Sequence, residues 1–147
     1  MTPPPRSGDL VRPRLFVFDS EALSRAVRGD RAFLGLVNKA WERRAPVVTS
    51  GLTTLEAWDP RPGKAPRLWD WALSRIEVIH ADGAIVDSAR SLLTEAGLHG
   101  HKYAIDSILA AVAAAGARRG SQVTVFTSDA DDLERLLAGI PVVIEPV

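Results

Sequence analysis

The fold is decided by a short stretch near the start of the chain, Leu15-Phe16-Val17-Phe18-Asp19. Four consecutive apolar residues without polar alternation are typical of a strand that is buried on both faces of a parallel sheet. The acidic residue ends the run, and a helix is predicted over residues 21–27. Because a buried strand followed by a helix is the repeating unit of α/β folds, this stretch predicts a parallel sheet covered by helices.

The same alternation continues along the 147 residues. Further short apolar runs predict strands at 47–49, 76–79, 123–126 and 141–144. Helical spacing and capping residues predict helices at 31–44, 53–58, 68–75, 84–96, 104–117 and 129–137. Their predicted N-caps include Asp30, Asp82 and either Thr53 or Thr54. The sequence therefore predicts a three-layer α/β/α fold whose sheet has about five short parallel strands.

Composition limits the organisation and the chemistry. Residues 1–13 are rich in proline and polar groups and are predicted to be a flexible lead-in, which leaves residues 14–147 as one domain. The chain contains no cysteine, so disulfides, thiolate zinc sites and a cysteine nucleophile are excluded. The start has no apolar signal region and no run is long enough to span a bilayer, so we expect a cytoplasmic protein without membrane contact.

The formal net charge is zero, which counts mildly against nucleic-acid binding because no global positive field attracts phosphates. Arginine nevertheless far outnumbers lysine, and the guanidinium group suits phosphate recognition. Arginines at 25, 28 and 31, at 43 and 44, and at 118 and 119 could form a local basic surface. Taken alone, each group is more typical of a solvated helix face.

Four acidic residues occupy positions where an α/β fold places its chemistry. Asp19 follows the first predicted strand, and Asp129 follows the fourth after Thr127-Ser128. Glu56 lies on the helix after the second strand, and Asp106 lies in the first turn of an alanine-rich helix. Because sites form beyond the carboxyl ends of parallel strands, we expect these carboxylates to converge at one end of the sheet.

Converging carboxylates repel one another, and such a cluster usually persists because it binds a cation. Oxygen ligands alone select a hard cation, so Mg²⁺ or Mn²⁺ is expected, and such an ion can activate water for attack on a phosphodiester. Each acid also has a plainer interpretation. Asp19 could cap a helix, Glu56 could be a surface charge, and Asp106 and Asp129 could complement helix dipoles.

The contexts of the four acids resemble the motifs of a known family. The stretch from Phe16 to Leu23 resembles the opening strand and Asp of a PIN domain. The stretch from Thr49 to Ala57 resembles the second motif, in which a Glu follows a Ser/Thr-rich strand end. The stretches 103–111 and 125–133 resemble the third and fourth motifs. They occur in family order over about residues 14–145, and only their combination is specific.

This resemblance implies a PIN-domain ribonuclease of the VapC toxin type. It implies a hydrolase that cleaves RNA with Mg²⁺ or Mn²⁺, a cognate antitoxin protein as partner, and a homodimer. Asp19, Glu56, Asp106 and Asp129 would be the catalytic acids, and Asp19, Asp106 and Asp129 would be metal ligands. Accessory roles would fall to Asp132, Thr127 and Ser128.

Several residues do not fit the motifs. Glu21 could join the acidic cluster or point away from it, and Asp131 leaves open which acid of its group faces a metal. The three histidines His80, His99 and His101 could act as general bases or ligands but are more typical of loop surfaces. The tryptophans at 58, 69 and 71 could stack a base, but core or interface packing is more typical. Residues 67–75 and the Phe33/Trp41 helix face are candidates for dimer contacts.

Two other functions remain open from the residues. A catalytically silent PIN-fold interaction module would agree with the neutral charge. A phosphotransfer or phosphatase domain would use Asp19 as nucleophile. However, the phosphatase pattern needs an Asp two residues later, where Glu21 stands, and the acidic pair and late lysine of a receiver domain are missing.

Overall fold

A computed structural model describes residues 12–63 and 66–147, which form five strands and seven helices. In chain order the elements are β1 (Arg14–Phe18), α1 (Ser20–Arg28), α2 (Arg31–Glu42), β2 (Val47–Ser50), α3 (Gly51–Ala57), α4 (Trp69–Leu73), β3 (Ile76–Ile79), α5 (Gly83–Ala96), α6 (Gly100–Arg118), β4 (Gln122–Thr127), α7 (Ala130–Leu136) and β5 (Val142–Pro146). Each of the five predicted strands is present, with ends that differ by at most two residues.

The strands form one parallel sheet in the order β3-β2-β1-β4-β5. The opening strand β1 is central, with Val17 opposite Val48 of β2 on one side and Val125 of β4 on the other. The strand order changes direction between β1 and β4, and a parallel sheet opens a crevice at the carboxyl ends of two such strands. The fold therefore provides a site directly after Phe18 and Thr127.

Helices cover both faces of the sheet, as predicted. On one face the buried side chains of α5, α6 and α7 pack against β1 and β4, with Leu109, Val112 and Leu133 almost fully buried. On the other face α1, α2 and α4 enclose Phe18 and Leu23. Two separate cores with a sheet between them confirm the three-layer α/β/α class with a five-stranded parallel sheet.

Two predictions about α2 and α3 are wrong in detail. The N-cap of α3 is Ser50, whose Oγ accepts a 3.0 Å hydrogen bond from the Thr53 amide, so neither Thr53 nor Thr54 caps this helix. Helix α2 ends at Glu42, two residues earlier than predicted, and Arg44 then takes a left-handed conformation with φ of 56°. Trp41, predicted on the apolar face of α2, is 57% exposed.

Helix α6 begins earlier than predicted. It starts at Gly100, but Tyr103 has non-helical angles, so a kink separates the first turn from the alanine-rich part. Within the described residues, no helix has the length and apolar character needed to cross a membrane. Of the predicted lead-in, residues 1–11 lie outside the described residues, and the carbonyl of Pro13 accepts a hydrogen bond from Gln122 at the start of β4.

Candidate metal centre

Asp19 joins the ends of the two strands that flank the crevice. Its Oδ1 accepts a 2.9 Å hydrogen bond from the amide of Ala22 and thereby caps α1. Its Oδ2 accepts a 2.8 Å hydrogen bond from the amide of Ser128, and the Ser128 hydroxyl lies 3.4 Å from the same oxygen. The side chain is only 5% exposed. Asp19 is therefore a helix cap, as the plainer interpretation predicts, and also a fixed member of the site.

The loop after β4 is held by Thr127. Its side chain is fully buried, and its Oγ1 accepts a 2.9 Å hydrogen bond from the Asp129 amide. The next residue, Ser128, is the partner of Asp19. The Thr-Ser pair that precedes Asp129 thus sets the backbone path of this acid.

Four carboxylates line one cavity of about 370 Å³ at the carboxyl edge of the sheet. We call this cavity the acidic pocket. Its walls carry Glu56, Asp106, Asp129 and Asp132, together with the turn from His101 to Ile105 at the start of α6. Acids that lie up to 76 positions apart in sequence, from 56 to 132, therefore share one small volume.

The pKa of Asp106 is raised by burial and by the other acids of the cluster. Burial is the main reason that its pKa rises from 3.8 to about 6, and the neighbouring carboxylates of Asp129, Asp132, Glu56 and Asp19 raise it further. Asp19 is not among the pocket walls, but its negative charge also raises the pKa of Asp106.

The other pocket acids show the same mutual repulsion. Partial burial raises the pKa of Glu56, a hydrogen bond from the Ser20 side chain opposes that rise, and the charges of Asp19 and Asp129 add to it. Partial burial also raises the pKa of Asp129, with further contributions from Asp19 and Asp132. Lys102 lines the same pocket, but among the described residues no cationic side chain lies within ion-pair distance of the four pocket acids.

The donor set of the pocket suits a hard cation, because every acid offers carboxylate oxygens and the described residues supply no thiolate. Among residues 12–63 and 66–147, however, no three His, Asp or Glu side chains are grouped closely enough to form a ready-made metal site. The chemistry of the residues fits Mg²⁺ or Mn²⁺. In this structure, however, the carboxylates lie too far apart to hold such an ion without rearrangement.

The structure shows which of the residues whose role the sequence left open line the acidic pocket. Glu21 turns away and forms a 3.2 Å ion pair with Arg25 on α1. Asp131 is exposed and does not line the acidic pocket, so Asp132 is the acid of that pair that does. His101 lines the pocket, and His99 stacks beside His101 without lining it.

Other candidates lie elsewhere. His80 contacts Gly51 at the junction of β2 and α3 and is not a wall of the acidic pocket. The tryptophans at 58, 69 and 71 are likewise not among its walls, and Trp58 and Trp69 pack edge to face with ring centres 5.0 Å apart.

Sequence reasoning missed three residues of the site. Ser20 contacts Glu56, and its position directly after Asp19 at the strand end was an available signal. Lys102 and Tyr103 line the pocket, and the Lys102 amino group lies 5.2 Å from the centre of the Tyr103 ring. Their only signal was their closeness to Asp106, because the kink that brings them to the pocket leaves no mark in the sequence.

A parallel sheet covered on both faces, with acids gathered at the crevice between β1 and β4, defines a PIN-like α/β domain with a candidate metal centre. Solved structures confirm the fold. A chain of the crystal structure of VapBC2 from Rickettsia felis bound to a DNA fragment from their promoter matches with a TM-score of 0.60 and 16% identity, over 90% of this chain and 98% of that one. A chain of a toxin–antitoxin complex from Klebsiella pneumoniae matches with a TM-score of 0.57 and 21% identity, over 89% and 98%.

Comparison of the sequence with protein-family profiles and with curated proteins gives no match. The two structural likenesses show that the chain shares the fold of these toxin–antitoxin proteins. The resemblance expected from the four motifs is thus confirmed at the level of the fold.

Proposed function

We propose that this chain is a metal-dependent endoribonuclease that acts in the cytoplasm as the toxin of a toxin–antitoxin pair. One observation carries the proposal: Glu56, Asp106, Asp129 and Asp132 line one small cavity at the switch point of the sheet, where burial and the neighbouring charges raise the pKa of Asp106. Crowded negative charge lowers the stability of a fold, so such a cluster is usually retained for a function. Binding of a divalent cation is the usual one.

In this proposal Asp19, Asp106 and Asp129 hold Mg²⁺ or Mn²⁺, directly or through water. When bound, the ion would supply charge neutralisation, activation of water and stabilisation of the leaving oxygen of a phosphodiester. The chain's own part is to fix the ligands. The amides of Ala22 and Ser128 orient both oxygens of Asp19, and Thr127 sets the backbone of Asp129.

The remaining pocket residues would act on the substrate and on protons. Glu56, whose pKa is raised and which the Ser20 side chain contacts, can hold a proton near the reacting phosphate. Asp132 would be an accessory acid. Lys102 at the rim offers a positive charge to the RNA backbone, and Tyr103 beside it offers a ring for a base.

The assignment as a toxin is supported by the shared fold with proteins from two toxin–antitoxin complexes. A cognate antitoxin would then be the protein partner. A homodimer remains part of the proposal. The segment 67–75 is its candidate contact, because Phe33 on α2 is buried and is not available to a second copy.

A catalytically silent interaction module is the second candidate. It is favoured by the separation of the acids, since no three of the described ones are grouped at liganding distance. A phosphotransfer role for Asp19 is less well supported, because backbone amides occupy both of its oxygens and the side chain is buried.

The deciding experiment is cleavage of a synthetic RNA by the purified chain with Mn²⁺ or with EDTA. We expect cleavage only with Mn²⁺, and a loss of at least about 100-fold in rate for Asp106→Asn and for Asp129→Asn. Asp87→Asn is the matched control, because Asp87 is an exposed acid on α5 paired with Arg90. A silent module would show no Mn²⁺-dependent cleavage and no growth arrest on expression.

A further inference from the structure

The opposite edge of the sheet carries a second surface. Two adjoining cavities, of about 620 and 610 Å³, lie near the connection between α2 and β2. The residues common to both cavities are Ala40, Arg44 and Ala45. Because all five strands are parallel, their starting ends lie at the edge away from the acidic pocket. We call the walls of both cavities the amino-edge surface.

The amino-edge surface is strongly basic. Six of its residues are cationic, namely Arg12, Arg14, Lys39, Arg43, Arg44 and Arg75. Among the described residues, none of the six has a carboxylate within ion-pair distance, and Glu77 is the one acid in the cavity walls. Positive charge without internal partners is available to an anionic ligand.

Aromatic rings lie among these cationic side chains. Trp41 is 57% exposed. The Arg75 guanidinium lies 5.6 Å from the centre of the Trp41 ring and 4.8 Å from that of Trp71. In the described structure, the Arg75 Nε is buried without a hydrogen-bond partner. Two ring faces and a 3.0 Å hydrogen bond from Arg75 Nη1 to the Ser74 hydroxyl therefore hold the Arg75 guanidinium beside an exposed indole.

We propose that the amino-edge surface binds single-stranded RNA, with phosphates on the arginines and one unpaired base against Trp41. A groove with cations and an exposed ring is the combination that single-stranded nucleic acids use. A second copy of this chain would bring like charges together, and an acidic peptide would leave the indole without a stacking partner. The choice of RNA rests on the proposed function, whereas the surface shares no residue with the acidic pocket.

The test is fluorescence anisotropy of a labelled, unstructured 12-nucleotide RNA in EDTA, in an Asp106→Asn background that prevents cleavage. The variants are R43Q/R44Q and Trp41→Leu. The control is R31Q/R90Q, which removes the same charge from exposed arginines outside both cavities. Circular dichroism checks that all variants fold, and R43E/R44E serves as a stronger second charge variant.

We expect R43Q/R44Q to weaken binding by about tenfold and to lower the slope of log affinity against log salt by about 1.4, at about 0.7 for each lost phosphate contact on a single strand. Trp41→Leu should weaken binding by about fivefold without changing that slope, since stacking releases no counterions. The control should bind as the parent does.

Three results would overturn the proposal. The first is an equal loss in R31Q/R90Q and R43Q/R44Q. The second is competition by polyglutamate as effective as that by unlabelled RNA, which would assign the surface to an acidic protein. The third is self-association that Trp41→Leu abolishes while RNA affinity is unchanged. Because binding is measured without divalent ions, failure of the nuclease assay leaves this test intact.

Discussion

The backbone amide of Ser128 donates a 2.8 Å hydrogen bond to Oδ2 of Asp19, across 109 positions of sequence. Asp19→Ala removes this contact and also the cap of α1. A lost cap costs about 1 kcal/mol, and an amide left without its partner costs about 1–3 kcal/mol more. Relief of repulsion from Asp106 and Asp129 offsets part of this, so we expect a net loss of about 2 kcal/mol in the free energy of unfolding.

Asp82→Ala provides the matched comparison, because Asp82 caps α5 through the Ile85 amide in the same way and is exposed. Urea denaturation of both variants at neutral pH measures the difference. If Asp19→Ala proves no less stable than Asp82→Ala, the link between β1 and β4 contributes nothing measurable.

Asp106→Asn should have the opposite effect on stability in EDTA. The rise in the pKa of Asp106 from 3.8 to about 6 corresponds to about 3 kcal/mol of unfavourable charge at neutral pH. Solvent reaches part of this side chain and screens the charge, so we expect a gain of about 1–2 kcal/mol on neutralisation. A variant that stabilises the fold and abolishes cleavage would identify a carboxylate kept for function.

The same residue predicts a pH dependence. Because its pKa is higher in the folded than in the unfolded chain, the folded state holds the proton more tightly, and the contribution of Asp106 to stability falls as pH rises from about 4 to about 6. The advantage of Asp106→Asn should therefore be full at pH 7.5 and absent at pH 3.5. Urea denaturation at both values checks this, with Asp87→Asn as the reference. A pH-independent advantage would contradict it.

Divalent ions should reverse that advantage. An ion that binds only the folded state stabilises it by about 1.4 kcal/mol when its concentration is about ten times its dissociation constant. We expect Mg²⁺ or Mn²⁺ to raise the melting temperature of the parent chain and not that of Asp106→Asn/Asp129→Asn. Potassium chloride at equal ionic strength is the control, and an equal rise in both proteins would indicate salt screening alone.

Gly116 marks the closest approach of α6 to the sheet. A Cβ at this position would collide with Cδ2 of Leu15 and lie 3.3 Å from Cγ2 of Val123, both in buried side chains. We expect Gly116→Ala to lower the free energy of unfolding by about 1–3 kcal/mol through overpacking. Gly35→Ala in α2 has no atom within 4 Å of the new Cβ and should raise it by about 0.5–1 kcal/mol. Thermal denaturation of the pair tests both signs.

The strands could be predicted because each is a short and mostly apolar run. The acids could be placed because strand ends meet at one edge of a parallel sheet. The N-cap of α3 was predicted wrongly because Ser50, Thr53 and Thr54 can all accept a backbone amide, and only the tertiary position of β2 selects Ser50. Local patterns contain too little information to separate such equivalent caps.

The net charge of zero gave no indication of where the charges lie. The acids of the acidic pocket and the cations of the amino-edge surface lie at opposite edges of the sheet. Trp41 was predicted on an apolar face because its spacing from Phe33 and Val37 is helical, but its ring is exposed near the end of α2. Averages over a chain do not report where its side chains come together.

The central place of β1 also has a consequence for synthesis on the ribosome. Asp19 leaves the ribosome 109 positions ahead of its partner Ser128 and well before the strand β4 beside it. A nascent chain that stops before β4 carries Asp19, Glu56 and Asp106 without the element that gathers them. The translating cell would therefore meet the assembled pocket only after β4 and the acids that follow it have left the exit tunnel.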